Sequence, residues 1–167
     1  MNEPKAAVIM GSDSDFETMK GCIKHLKKFG IAPEVHVISA HRTPQKAEEF
    51  AKNARKNGFD VIIAAAGKAA HLAGVIAAYT TLPVIGVPIK SSTMDGLDSL
   101  LSIVQMPSGI PVATVAINGS ENAGILAAQM LSLKYEQIEE KLVAFKEEMA
   151  QKVEEKDKKI ALEAQNL

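Results

Sequence analysis

Five short apolar runs, at 6–10, 35–38, 61–66, 84–87 and 112–117, recur along the chain. The later ones are rich in β-branched residues, and continuous apolar runs of this length predict strands covered on both faces. Between them apolar residues fall three or four apart: Met19, Ile23 and Leu26, then Phe50, Ala51 and Ala54, then Leu97, Leu100, Leu101 and Val104. That spacing predicts helices. Ser14 with Glu17 three residues on reads as a capping box, Thr43-Pro44 as an N-cap with proline at the first helical position, and Gly30 and Gly58 as helix stops.

Strand alternating with helix predicts an α/β domain: a parallel sheet of about five strands with helices on both faces and right-handed crossovers. Five strands point to a three-layer, flavodoxin-like order. After Leu133 the composition turns to Lys and Glu, with Ile138, Leu142, Phe145, Met149 and Val153 spaced by three or four. The tail is expected to form one long C-terminal amphipathic helix. Residues 1–133 are expected to be a single catalytic domain and 134–167 a helix packing either on that domain or at a subunit interface.

Composition narrows the classes. A chain of 167 residues, 47% hydrophobic and 23% charged, suits one globular domain. Nineteen basic against twenty acidic residues leave no overall bias toward nucleic acid or an acidic membrane, so anion recognition has to be local. The single Cys22 has no disulfide or metal partner and reads as core filling. No run reaches the roughly 18 apolar residues of a membrane span, and residues 1–10 lack the pattern of a signal peptide. A soluble, cytoplasmic protein is expected.

In a parallel sheet the ligand crevice lies at the carboxyl ends of the strands. The residues just past the runs are Gly11-Ser12-Asp13-Ser14-Asp15, Ser39-Ala40-His41-Arg42, Gly67-Lys68-Ala69-Ala70-His71 and Asn118-Gly119-Ser120-Glu121-Asn122. All are expected on one rim. The first offers amides and hydroxyls for a phosphate and carboxylates for sugar hydroxyls. Arg42, just before a helix, opposes the helix dipole and is better explained by an anion or a salt bridge. His41 beside it is a natural general acid or base. His71 serves either the fold or the chemistry, while His25 and His36 fall on a helix and a strand and read as structural. There is no HExxH, no paired Cys, no GxxxxGKS/T, no GxGxxG after the first strand and no GxSxG. Metal catalysis, ATP, NAD and a serine nucleophile are therefore not implied.

The segments Gly11–Asp15, SAHRTP at 39–44, AAHL at 69–72, LPVIGVP at 82–88, DSLLSIVQMPSGIPVATVAI at 98–117 and NAG at 122–124 resemble the bacterial N5-carboxyaminoimidazole ribonucleotide mutase family. The resemblance runs to about Leu133. It implies an isomerase of purine biosynthesis that moves a carboxylate from the exocyclic nitrogen to the 4-carbon of an aminoimidazole ribonucleotide, through trapped carbon dioxide and without a cofactor. By matching motif, His41 is the general acid and base. Ser12 and Arg42 suit the phosphate and Asp15 the ribose. Ser39, Gly67, Lys68 and His71 match the same pocket, with His71 on the carboxylate side. The resemblance also implies a homo-octamer.

One departure from the pattern bears on the chemistry. The mutase loop usually reads GAGGAAHL, and here Lys68 stands where its fourth residue is glycine. The related animal-type carboxylases, which use free carbon dioxide, carry a basic residue there, so direct carboxylation of aminoimidazole ribonucleotide is an alternative. Another alternative is a non-catalytic flavodoxin-like module. A phosphorylation receiver is disfavoured, because Gly67 and Asn118 stand where it needs an acceptor Asp and a Lys.

Overall fold

The computed structural model describes residues 3–167. Five strands form one parallel sheet in the order β2-β1-β3-β4-β5, a flavodoxin-like arrangement. The strands are β1 (Lys5–Met10), β2 (Ala32–Val37), β3 (Val61–Gly67), β4 (Val84–Ile89) and β5 (Ala113–Thr114). The helices are α1 (Phe16–Lys28), α2 (Pro44–Asn53), α3 (Leu72–Tyr79), α4 (Leu97–Val104), α5 (Ser120–Ser132) and α6 (Glu136–Gln165).

Because strand side chains alternate, the central runs feed two cores. Ala6, Val8, Met10, Ile63 and Val87 pack with Met19, Cys22, Leu26, Ala127 and Leu131 of α1 and α5. Ala7, Ile9, Ile62 and Ala64 pack with Ala47, Ala51, Ile76 and Ile103 of α2, α3 and α4. The α1–α5 contact is close because residue 124 is glycine: a Cβ there would stand 2.8 Å from the Cys22 carbonyl. The Cys22 thiol is buried, and desolvation pushes its pKa to about 12, which suits the core-filling role expected of it.

The two edges depart from expectation. β2 begins earlier, at Ala32, with Pro33 inside it. The amides of Ala32 and Ile38 donate to Pro4 and Met10, so even positions face β1 and the missing N–H of Pro33 points off the open edge. β5 is two residues long, where the apolar run spans 112–117. Its only neighbour is β4, and after Val115 donates to Gly86 the chain turns through Asn118 at φ +57°. Helix α1 ends just before Gly30, which takes positive φ as the sequence predicts, whereas α2 already ends at Asn53, and Gly58 at φ +83° closes the turn that follows it.

The stripe on α4 exists but faces outward. Ser99 and Ile103 are buried, whereas Leu97, Leu101 and Val104 are each nearly half exposed. Helix α6 uses its stripe only at first. Ile138 is fully buried, and Phe145 stacks edge-on against Phe29 and His25 while Glu148 pairs with Lys28 at 2.7 Å. Beyond Met149 every residue of the helix is exposed. No helix of the described residues is long and apolar enough to cross a membrane.

Candidate active site

A cavity of about 420 Å³ opens at the carboxyl ends of β1, β2, β3 and β4. It lies at the switch between β1 and β3, where successive crossovers leave on opposite faces of the sheet.

The loop after β1 is organised by Ser12. Its extended backbone and side chain cap a short 3-10 turn, Asp13–Asp15, with the Ser14 amide donating to Ser12 Oγ at 3.3 Å and the Ser14 hydroxyl at 2.9 Å. The Ser14–Glu17 capping box expected from sequence does not form, because the 3-10 turn delays α1 to Phe16 and leaves Glu17 to pair with Lys20 at 2.5 Å. Asp15 is 6% exposed. Burial raises its carboxyl pKa, while hydrogen bonds from the Ser12 backbone and the Ser14 hydroxyl pull it down, and the Asp13 charge adds a small upward push.

The loop after β2 is a turn tied at both ends. Thr43 donates through its amide and its hydroxyl to the Ser39 carbonyl, at 2.8 and 2.9 Å, and Ser39 N–H donates back to Thr43 Oγ1 at 3.1 Å. Thr43 therefore closes the turn rather than capping α2 with its side chain. Ser39 Oγ accepts from the Arg42 amide at 3.1 Å and from Arg42 Nε at 3.4 Å. Arg42 Nη2 reaches across to the Gly11 carbonyl at 2.9 Å, joining the β1 and β2 loops. Of the five guanidinium N–H groups two are spent on the protein, so about three remain for an anion. His41, at the crest of the turn, is exposed and forms a wall of the cavity, and its ring makes no hydrogen bond among the described residues.

β3 ends at Gly67, and Lys68 follows at φ +58°. A left-handed backbone favours glycine, which gives the glycine of the motif a steric reason and makes this lysine's backbone unusual. Both residues line the cavity. His71 does not. At the N-cap of α3, its Nδ1–H donates to the Ser102 carbonyl of α4, which fixes the proton on that nitrogen. The ring has room only because residue 74 is glycine: a Cβ there would lie 2.0 Å from His71 Nε2.

Sequence reasoning passed over the loop after β4, yet Lys90, Ser91 and Ser92 complete the wall. The rule that located the other loops would have found them, since they directly follow an apolar run. Conversely, the Asn118 loop stands behind the rim: Asn118 Oδ1 accepts from the Lys90 amide at 2.8 Å and so holds the β4 loop in place. Three cations, Arg42, Lys68 and Lys90, thus share the wall with one buried carboxylate, Asp15, and Lys90 is already paired with Asp95 at 3.2 Å. The site has the charge to hold a multiply anionic ligand beside a free imidazole. Among the described residues no group of three or more His, Cys, Asp or Glu could hold a metal ion.

Residues 5–152 match the family described as AIR carboxylase. The chain belongs to the AIR carboxylase family. An N5-carboxyaminoimidazole ribonucleotide mutase from Pyrococcus horikoshii is 58% identical over 158 residues, covering 95% of this chain and 89% of that one. The mutase of the same name from Thermotoga maritima is 56% identical over 157 residues, covering 94% and 92%. Among solved structures, Treponema denticola PurE superposes with a TM-score of 0.83 at 31% identity, over 93% of this chain and 98% of that one. In this member of the family the acid–base candidate and the cationic side chains lie on four adjacent strand ends of one fold.

Proposed function

We propose that the protein is an isomerase of purine biosynthesis, converting N5-carboxyaminoimidazole ribonucleotide to its 4-carboxy isomer. The observation that carries this reading is the placing of His41 and Arg42 on one turn, against the Ser12–Asp15 loop, around a single cavity. Relatives more than half identical over nearly the whole chain bear the mutase name.

The chemistry follows from these groups. Arg42 and the Ser12 loop at the start of α1 hold the phosphate, and Asp15 accepts from the ribose hydroxyls. The C–N bond of the carbamate breaks, carbon dioxide leaves, and the electron pair stays on the nitrogen, which takes a proton from the His41 imidazolium. The 4-carbon then attacks the trapped carbon dioxide, and neutral His41 removes the proton from that carbon. Protons and charge balance over the cycle, so the reaction calls for no external acid, base or cofactor. Confinement matters because carbon dioxide held against the ring keeps a high effective concentration.

Two surface features support a homo-oligomer, and we assign an octamer. The outward stripe of α4 and the apolar residues Val153, Ile160 and Leu162 on the projecting part of α6 need cover from other copies. A single buried thiol suits a reducing, cytoplasmic setting.

The test supplies purified protein, without ATP, with either N5-carboxyaminoimidazole ribonucleotide or aminoimidazole ribonucleotide plus bicarbonate. Faster conversion of the first is expected. Efficient use of the second alone would make the protein a direct carboxylase, and use of neither would leave a binding module. Light scattering should give a mass near eight chains.

A further inference from the structure

We propose that Lys68 is a specificity-determining residue that selects the carboxylated nucleotide, holding its carboxylate on the β3–β4 side of the cavity while Arg42 holds the phosphate on the β1–β2 side. The proposal rests on the nucleotide reading above and adds the residue that reads the state of the base.

Three observations lead there. First, Lys68 adopts φ +58°. A bulky non-glycine residue pays strain for such a backbone, and strain kept at a cavity wall points to a use for the side chain. The other non-glycine residues at positive φ, Asp95 and Asn118, are types that tolerate it, and both brace the neighbouring loop: Asp95 pairs with Lys90, and Asn118 accepts from its amide. Lys68 is in no ion pair or side-chain hydrogen bond among the described residues, so its strain serves no internal contact.

Second, the charges on the wall are spaced. The loops bearing Arg42 and Lys68 follow β2 and β3, which flank β1, and the Arg42 guanidinium reaches the Gly11 carbonyl at the end of β1, so the two charges belong to neighbouring strand ends. Two cations on separate loops of one crevice fit a ligand with two separate anions. A nucleotide carrying a carboxylate on its base is such a ligand, and the same nucleotide without that carboxylate is not.

Third, Lys68 is the uncommitted cation at its end. Lys90 already has a partner in Asp95 at 3.2 Å, whereas Lys68 is exposed at the mouth and free to swing onto an incoming anion. A flexible ammonium suits a group that must bind a carboxylate without fixing its angle.

The experiment compares wild type, Lys68→Met, Lys68→Gly and Lys68→Arg by calorimetry with two probes, 4-carboxyaminoimidazole ribonucleotide and aminoimidazole ribonucleotide. Glycine suits the backbone and methionine keeps the stem, so a folding defect shared by both is not expected. Loss of one charge-assisted contact should weaken the carboxylated probe about ten-fold in the Met and Gly variants, with the other probe changed less than about two-fold. Arginine should restore the preference. Equal weakening of both probes, or none, would overturn the proposal. If wild type fails to turn over N5-carboxyaminoimidazole ribonucleotide while the variants still lose the preference, the functional reading fails and Lys68 keeps its role. If turnover holds and the preference is unchanged, only the Lys68 proposal falls.

Discussion

Replacing His41 with Asn should abolish isomerisation while leaving the protein folded and able to bind nucleotide. His41 is exposed, its ring makes no hydrogen bond among the described residues, and the turn that carries it is tied by Ser39, Arg42 and Thr43 instead. Surface changes away from such ties stay within about 0.5 kcal/mol. For a chain of this size that is about 1–2 °C in Tm. The phosphate and ribose contacts assigned to Arg42, Ser12 and Asp15 are untouched, so Kd for the product nucleotide should change by less than about three-fold, well under 1 kcal/mol. Asparagine can still hydrogen-bond but cannot carry a proton between nitrogen and carbon. Positioned acid–base catalysis contributes roughly 10²–10⁴-fold, or about 3–5 kcal/mol of barrier. The assay follows kcat by the absorbance of the 4-carboxy product, alongside calorimetry and a melting curve on the same preparation. Turnover within ten-fold of wild type, with Tm and Kd intact, would remove His41 from the mechanism. A fall in Tm of several degrees would show instead that the loop, not the proton, had been lost.

Three further outcomes follow from the packing. Asp15→Asn should raise Tm near pH 7 while weakening nucleotide binding: burial raises the Asp15 pKa, so its ionisation costs the fold stability as pH climbs through that value, and the gain should vanish in acid below the ordinary carboxylate range. Equal melting temperatures at pH 7, measured by differential scanning fluorimetry, would contradict the burial argument. Cys22, with its thiol pushed up to about 12, should resist iodoacetamide at pH 8 in the native protein and react fully once unfolded, as read by intact mass. Gly124→Ala should cost about 1–3 kcal/mol, since the new Cβ meets the Cys22 carbonyl at 2.8 Å and helix backbones cannot yield as a side-chain tip can; urea titration measures it, and a neutral result would mean that α1 and α5 part freely.

The fold was legible where burial acts on both sides of an element. A strand enclosed on two faces has to be apolar throughout, so β1, β3 and β4 announce themselves as unbroken runs, while the end of α1 is written in Gly30. Legibility fails where only one neighbour exists. The run at 112–117 has the composition of a strand, yet β5 pairs only through Ala113 and Thr114, and past Val115 the chain turns away through Asn118. The stripe on α4 has the right spacing and the wrong direction: Ile103 and the small, hydrogen-bonded Ser99 face the sheet, and the leucines face outward. Periodicity gives the existence of a stripe and not what it packs against.

For the cavity, the carboxyl-end rule acts through the backbone, and backbone placement is what a parallel sheet dictates. Ser12, Asp15, Ser39, His41, Arg42, Gly67 and Lys68 reach the wall because their strands end there, and Lys90 and its serines reach it for the same reason. Side-chain direction is decided by contacts remote in sequence. His71 leaves the wall because the Ser102 carbonyl, thirty-one residues on, takes its Nδ1 proton, and because Gly74 clears the space for the ring.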